Sequence, residues 1–422
     1  MLQNRVPRVQ VLLPLPKTSL KSRGFRDNFF IFDVAKYTKF TGTIRIYNSV
    51  ISNVSNISVV SVCYIIKIAS IIYYEGVYNL SNLNRSRNNS IDIFRCICAL
   101  MVVAIHTQPF MDINSTMGYI FTQIIPRIAV PFFFAISGYF YIQKLESGEK
   151  VFVKYIKRLV LTYIVWSLIY FAIDFCQWGY KNIKSFAVSS LYQFFIYGSH
   201  YHLWFFPALI LSVCITTLMI KTKLKKALIP LSIFLYVIGC LGCSYYEIGI
   251  SVPILNKLFL ANSFTTIRRL FLMGFPFFTS GYAVYKLKKN INMFNNNRKI
   301  IFVTILSIII WLIEIFFVCN ANLQNNIVIT LGLYPLLIFA ILLLLNNPME
   351  KHNYLAKKCK TISNFTYYAH PLFIMGIKYV FESVFLVEIT NIILYILTAF
   401  ISITLGYILS FSNNKYVKLI IG

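Results

Sequence analysis

Arg95 and His106 interrupt the apolar segment IDIFRCICALMVVAIHTQPF, residues 91–110. They are eleven residues apart. On a helix that is about 1100° of rotation, within about 20° of whole turns, so both project from one face. Their axial separation would be about 16 Å. A fixed cation at one level can hold an anionic group, and a titratable imidazole three turns along can accept a proton from a reacting hydroxyl. A snorkelling arginine and a histidine bonded to a neighbouring helix would fit this pair equally well.

Further polar residues at comparable depth extend the candidate site. Arg127 and Ser137 lie in PRIAVPFFFAISGYFYI, where Pro131 and Gly138 are expected to open the helix and free backbone groups beside a cavity. Lys154, Lys157 and Arg158 open the next apolar segment. His202 and Trp204 begin another, and His370 falls within FTYYAHPLF. Trp204 also suits an interfacial anchor, and His202 and His370 suit structural bonding as well as site lining. Asp174 and Glu314 sit in apolar surroundings with no partner evident from sequence. Of the nine cysteines only Cys240 and Cys243 have paired spacing, inside an apolar segment without further ligands, so they read as small packing residues and no metal site is expected.

The elements that must position these groups follow from composition. Of 422 residues 58% are hydrophobic and 13% charged, about half the charge of a soluble chain of this length. Apolar runs of about 20 residues recur, the length that crosses a hydrocarbon core as helix. The fold class expected is all-α, a polytopic membrane protein with about ten transmembrane helices near 91–110, 118–142, 155–175, 202–220, 227–246, 266–286, 299–318, 325–346, 362–384 and 388–411. The net charge of +27 does not indicate nucleic-acid binding, because the charges concentrate in alternate short loops. Lys144, Lys150, Lys154, Lys157 and Arg158 follow the second span, Lys221, Lys223, Lys225 and Lys226 the fourth, Lys286, Lys288, Lys289, Arg298 and Lys299 the sixth, and Lys351, Lys357, Lys358 and Lys360 the eighth. The opposite loops hold Lys181, Lys184 and Lys257, with Arg268 and Arg269 at a helix end. That asymmetry puts both ends of the helical unit in the cytoplasm and contacts with anionic lipid headgroups on the same side.

Residues 1–87 form a basic extension without clean periodicity. Its apolar stretch Ile57–Tyr74, interrupted by Lys67, is compatible with an extra span, an interfacial helix or a misassigned start codon, and no signal-peptide pattern is present. Residues 88–413 are the expected ten-helix domain and 414–422 a cytoplasmic tail. The aromatic-rich stretch Phe186–Tyr197 is expected to lie flat on the outer interface.

On these residues the chain resembles the integral-membrane acyltransferase-3 family, which includes O-acetyltransferases of cell-surface polysaccharides. The resemblance rests on Asp92 with Arg95 and His106 in the first span, on VPFFFAISGYF (Val130–Phe140), on HLWFFPALI (His202–Ile210) and on YYAHP (Tyr367–Pro371). It departs from the family pattern at the third span, where Tyr155 stands in place of the first arginine of R-x-x-R and Thr162 in place of a proline. The resemblance implies a multi-pass protein of the bacterial inner membrane that moves an acyl group, expected to be acetyl, from cytoplasmic acyl-CoA to a hydroxyl of a cell-surface or lipid-linked glycan. No bound cofactor is expected; acyl-CoA is the donor substrate. Arg95 and Arg158, with Lys154 or Lys157, would grip the donor phosphates and His106 would be the general base. Arg127 or Ser137 would face the developing oxyanion, and His202, Trp204 and His370 would line the acceptor side. The alternative is a glycan or lipid transporter without acyl-transfer chemistry.

Overall fold

Helices bounded by lipid can turn large apolar residues outward and small or polar ones inward, and some helices of this chain do so around a core of large rings such as Phe132, Phe278 and Trp166. The computed structural model describes residues 88–177, 182–290, 296–321, 323, 328–348 and 354–421, so the stretch 57–74 lies outside them. Helix α1 spans Asn89–Thr107, α2 Ser115–Glu146, α3 Phe152–Gln177 and α4 Ile183–Tyr192. They are followed by α5 (Phe205–Lys221), α6 (Leu228–Leu241), α7 (Phe275–Asn290) and α8 (Asn297–Asn320). The remainder are α9 (Leu333–Asn346), α10 (Tyr354–Tyr379), α11 (Asn391–Leu409) and α12 (Lys415–Ile421). There is no strand among the described residues. Helix occupies most of the described residues of each of the ten expected spans; in the eighth, 325–346, it begins only at Leu333. Six helices are long and apolar enough to cross a membrane, and α5 and α9 are shorter apolar ones. The protein is an all-α polytopic membrane protein.

The outermost helices show this arrangement most clearly. In α8 the buried residues include Thr304, Ser307, Trp311 and Ile315, at helical spacing, while Ile305, Ile309 and Phe316 are exposed. In α11 Leu394, Thr398, Ser402 and Gly406 are buried at intervals of four. Close approach of backbones replaces the hydrophobic drive that water would supply.

The tightest crossing, α2 on α7, depends on two glycines. A Cβ at Gly281 would overlap the Ala135 carbonyl and sit 2.9 Å from the Gly138 carbonyl carbon; one at Gly138 would overlap the Phe278 carbonyl. Gly138 therefore does not open α2 as expected from sequence: the helix is regular from Ala129 to Glu146. The irregularity lies earlier, in a π turn at Ile120–Ile124 and a 3-10 turn at Ile125–Ile128 with Pro126 near its start.

The lysine-rich loops meet at one end of the bundle. Lys225 pairs with Glu146 at 2.6 Å, Lys288 donates to the Leu345 carbonyl at 3.0 Å, and Lys358 donates to the Ser410 carbonyl at 2.9 Å. At the opposite end Glu314 accepts from the backbone N–H groups of Leu331 and Gly332, each at 2.7 Å, and from the Tyr245 hydroxyl. It thus caps the start of α9 from a neighbouring helix, which gives the apparently isolated carboxylate a structural task. Residues 415–421 are not a loose tail: the Trp166 indole donates to the Ile420 carbonyl at 3.0 Å, and Asn364 donates to the Ile421 carbonyl at 3.2 Å. α4 carries no buried residue, in keeping with an interfacial element.

Gly281→Leu is expected to destabilise the protein by about 1–3 kcal/mol or prevent its folding, because the α2–α7 crossing cannot hold extra volume. Gly376→Ala, where a new Cβ meets nothing within 4 Å, should leave the detergent unfolding midpoint unchanged or slightly raised.

Candidate active site

The bundle gathers His106, His200, His202 and His370 at the end opposite the lysines. His106 stands in the last turn of α1, which stops at Thr107 because Gln108 turns left-handed at φ 52°. His200 and His202 come from the loop that precedes α5, and His370 from the middle of α10. The rings of His106 and His370 are 5.3 Å apart and nearly parallel, His202 lies 5.2 Å from His370, and Tyr201 lies 4.6 Å from His106.

Backbone carbonyls set which nitrogens carry protons, since a carbonyl can only accept. In its neutral form His370 must hold its proton on Nδ1, which lies 2.9 Å from the Tyr367 carbonyl and 3.1 Å from that of Thr366. The Tyr367 carbonyl is available because Pro371, four residues on, has no N–H to give it. His370 Nε2 is left as a buried lone pair without a hydrogen-bond partner. Neutral His202 donates through Nε2 to the Tyr368 carbonyl at 3.2 Å, so its Nδ1 accepts from His200 Nδ1 at 3.2 Å. His200 sits outside the spans, and burial holds its pKa down at about 4, so it is uncharged at neutral pH. The Tyr367 and Tyr170 hydroxyls complete the frame, donating to the His202 carbonyl at 2.8 Å and the Tyr368 carbonyl at 2.7 Å. His106 is the member of the cluster that no protein hydrogen bond engages. Among the described residues no three His, Cys, Asp or Glu side chains are placed to share one metal ion.

A cavity of about 190 Å³ faces His106; its wall includes Arg127, Tyr201, Trp204, Arg268, Arg269 and Tyr367. A second, wider recess of about 380 Å³, lined by Asp174, Gln193, Ser199 and His200, shares Tyr201 and Arg269 with the first. The wider recess is here called the vestibule and the smaller cavity the chamber; Tyr201 and Arg269 belong to the walls of both.

Over residues 88–411 the chain matches the family model Acyl_transf_3, described as an acyltransferase domain. The chain belongs to that family. It is also similar to an amino-acid racemase of Enterococcus faecalis, 37% identical over 180 residues, which is 42% of this chain and 26% of the racemase. Similarity to a serine/alanine racemase of Enterococcus gallinarum is 36% over 178 residues, 40% of this chain and 25% of the relative. The chain thus spans about a quarter of the length of these relatives. No solved structure matches it.

The residues singled out in the sequence fall into two groups. His106, Arg127, His202 and Trp204 line the chamber, with His370 stacked behind His106. Arg95 is not in its wall. Its guanidinium pairs with Asp92 at 3.0 Å and lies over the Phe140 ring. Arg158 lies over Tyr155, which also faces Ser137, and Tyr368 is close to both Arg95 and Arg158. Ser137 therefore belongs with the arginines toward the lysine-rich end, away from His106. Lys154 and Lys157 are exposed at the start of α3. Cys240 and Cys243 are buried, as small packing residues are, with Cys243 Sγ 3.9 Å from Arg268.

Sequence reading passed over His200, Tyr201, Arg268 and Arg269. A signal for the arginines was present: two adjacent guanidiniums on the lysine-poor side run against the charge asymmetry that orients the chain. His200 had a weaker one, its H-x-H spacing with His202.

Pro371→Ala would supply an N–H that competes with His370 for the Tyr367 carbonyl. Acyl transfer is expected to slow about tenfold or more, the usual scale for a misdirected catalytic proton site, with an unfolding midpoint no lower than wild type. An unaltered rate would separate the His370 tautomer from catalysis.

Proposed function

We propose that the protein transfers an acyl group, expected to be acetyl, from acyl-CoA on the lysine-rich, cytoplasmic face to a hydroxyl of a cell-surface or lipid-linked glycan reached from the opposite side of a bacterial plasma membrane. The observation that carries this reading is the half-buried His106 imidazole, open to a chamber and bound by no protein group. Facing the chamber, a ring nitrogen of this histidine is placed to take a proton from a substrate there.

Arg95 and Arg158, with Lys154 and Lys157 at the rim, suit the phosphates of CoA. Tyr155, in place of an arginine, offers a hydroxyl beside them where a fork would bind more tightly. The acyl arm would run along α1 toward His106. At the intermediate level stand Phe133 and Tyr367, whose rings are 5.8 Å apart, and this is the wall the arm must part. The acceptor would enter through the vestibule and meet Trp204, its aromatic face suited to a sugar ring.

The chemistry then balances with the residues present. The acceptor hydroxyl gives its proton to His106 as its oxygen attacks the thioester carbonyl. Arg127 is the nearest candidate to hold the oxyanion. The intermediate collapses with loss of the C–S bond, and the imidazolium returns the proton to the CoA sulfur. The ester and CoA–SH are the products. Racemisation, which the similar Enterococcus proteins are named for, is not carried to this chain, because the shared stretch is about a quarter of their length.

His106→Ala is expected to lower CoA release from acetyl-CoA to background, with normal membrane abundance; retained turnover would remove His106 as the base. Arg95→Ala should raise KM for acyl-CoA by roughly tenfold or more, as expected for a lost charged contact, with a smaller change for the acceptor. A defect confined to the acceptor would contradict the donor role. Substrate flux into vesicles without CoA release would point to transport instead.

A further inference from the structure

The His106 chamber holds more positive charge than transfer to a neutral hydroxyl requires. Arg127, Arg268 and Arg269 all line it, and no carboxylate does. None of the three has a carboxylate partner among the described residues. Their other neighbours are neutral: Arg127 bonds to Gln123 and leaves its Nε buried without a partner, Arg268 lies over Phe264, and Arg269 lies over Trp204. Three guanidiniums in a recess shielded from water raise one another's energy unless an anion joins them. One oxyanion occupies one of them, and Arg127 suffices for that. Arg268 and Arg269 remain for a second, permanent negative charge.

The direction of approach indicates which substrate brings it. Arg269 is shared between chamber and vestibule, so the charge enters from the side away from the lysines. The donor's phosphates have their own cations in Arg95 and Arg158, toward the other end. Resting on the acyl-transfer reading above, we propose that the acceptor is itself anionic: a hydroxyl compound bearing a carboxylate or phosphate, seated with that group between Arg268 and Arg269 and a hydroxyl at His106. The proposal also explains a pair of arginines on a face where topology alone disfavours them.

The test uses the full chain purified in detergent, with glucose, glucuronate and glucose 6-phosphate as probes at constant ionic strength. At least one charged sugar should raise the unfolding midpoint where glucose does not, and the two charged sugars separate carboxylate from phosphate. Arg268→Gln combined with Arg269→Gln should weaken the apparent affinity by about tenfold or more; if the pair does not fold, Arg269→Gln alone is measured, and Arg269→Lys should keep part of the effect. An equal response to glucose, an unchanged response in the variants, or loss of the shift under saturating CoA would each overturn the proposal, the last by assigning the anion to the donor. CoA release from acetyl-CoA is followed in parallel. Wild type that releases CoA yet ignores charged sugars defeats this inference alone, whereas wild type that releases none defeats the acyl-transfer reading.

Discussion

A missing hydrogen bond in α10 organises the site. Pro371 cannot donate to the Tyr367 carbonyl, and in a membrane-embedded helix such a carbonyl must find another donor. It finds the His370 Nδ1–H within its own turn. One residue on, the Tyr368 carbonyl accepts from His202 and from Tyr170, groups of the loop before α5 and of α3. The locally loosened helix thereby becomes the acceptor strip on which two imidazoles are oriented, and a third is oriented through them. His106 is not bonded to this strip and lines the chamber, which is where the proposed reading needs a basic nitrogen.

The same scarcity of water explains the packing around it. In α8 and α11 Thr304, Ser307, Thr398 and Ser402 face inward while Ile305, Ile309 and Phe400 face out, although the core itself is filled by large rings such as Phe132 and Phe278. Some inward hydroxyls satisfy themselves against the preceding turn, as Thr304 does with Ile300 and Ser402 with Thr398, whereas the buried Thr398 hydroxyl has no hydrogen-bond partner. Small residues then bring backbones close, and the glycine pair of α2 and α7 fixes the level at which Arg127 faces His106. A rigid crossing beneath the chamber and an irregular turn at Ile120–Ile128 above it divide α2 into a positioning half and a lining half.

Much of this was legible in the residues. Ten apolar segments with alternating loop charge translate directly into helices whose lysine-bearing ends meet, because period and length are local properties. His106, Arg127, His202 and Trp204 could be named because each interrupts an apolar run, where an ionisable or amphipathic group needs a reason. Three things were not legible. The one-face geometry of Arg95 and His106 holds along α1, yet Asp92 draws Arg95 aside and Phe133 and Tyr367 stand at the level between, which is a matter of neighbouring helices. Gly138 looked like a hinge and is a contact, since glycine serves either purpose and only the partner helix decides. Pro371 looked like part of a motif, and its consequence for two carbonyls required knowing which imidazoles lie within reach.

The distribution of cations along the bundle axis ties these points together. Lysines crowd one end in the loops, where water and headgroups solvate them. Arg95 and the exposed Arg158 stand in the second turn of α1 and α3, near Tyr155 and Tyr368; Arg127, Arg268 and Arg269 stand near the other end, beside the histidines. The intervening level holds rings instead of charges: Phe133, Phe205 and Tyr367 within 6.5 Å of one another. A polyanion admitted from the lysine side thus meets cations and then an apolar barrier that only an uncharged arm can cross at modest cost. An anion admitted from the far side meets cations and the same barrier. On the proposed reading two charged substrates would in this way be kept to opposite halves, and the one neutral, flexible part between them, an acyl chain on its arm, would be what the barrier lets through to His106.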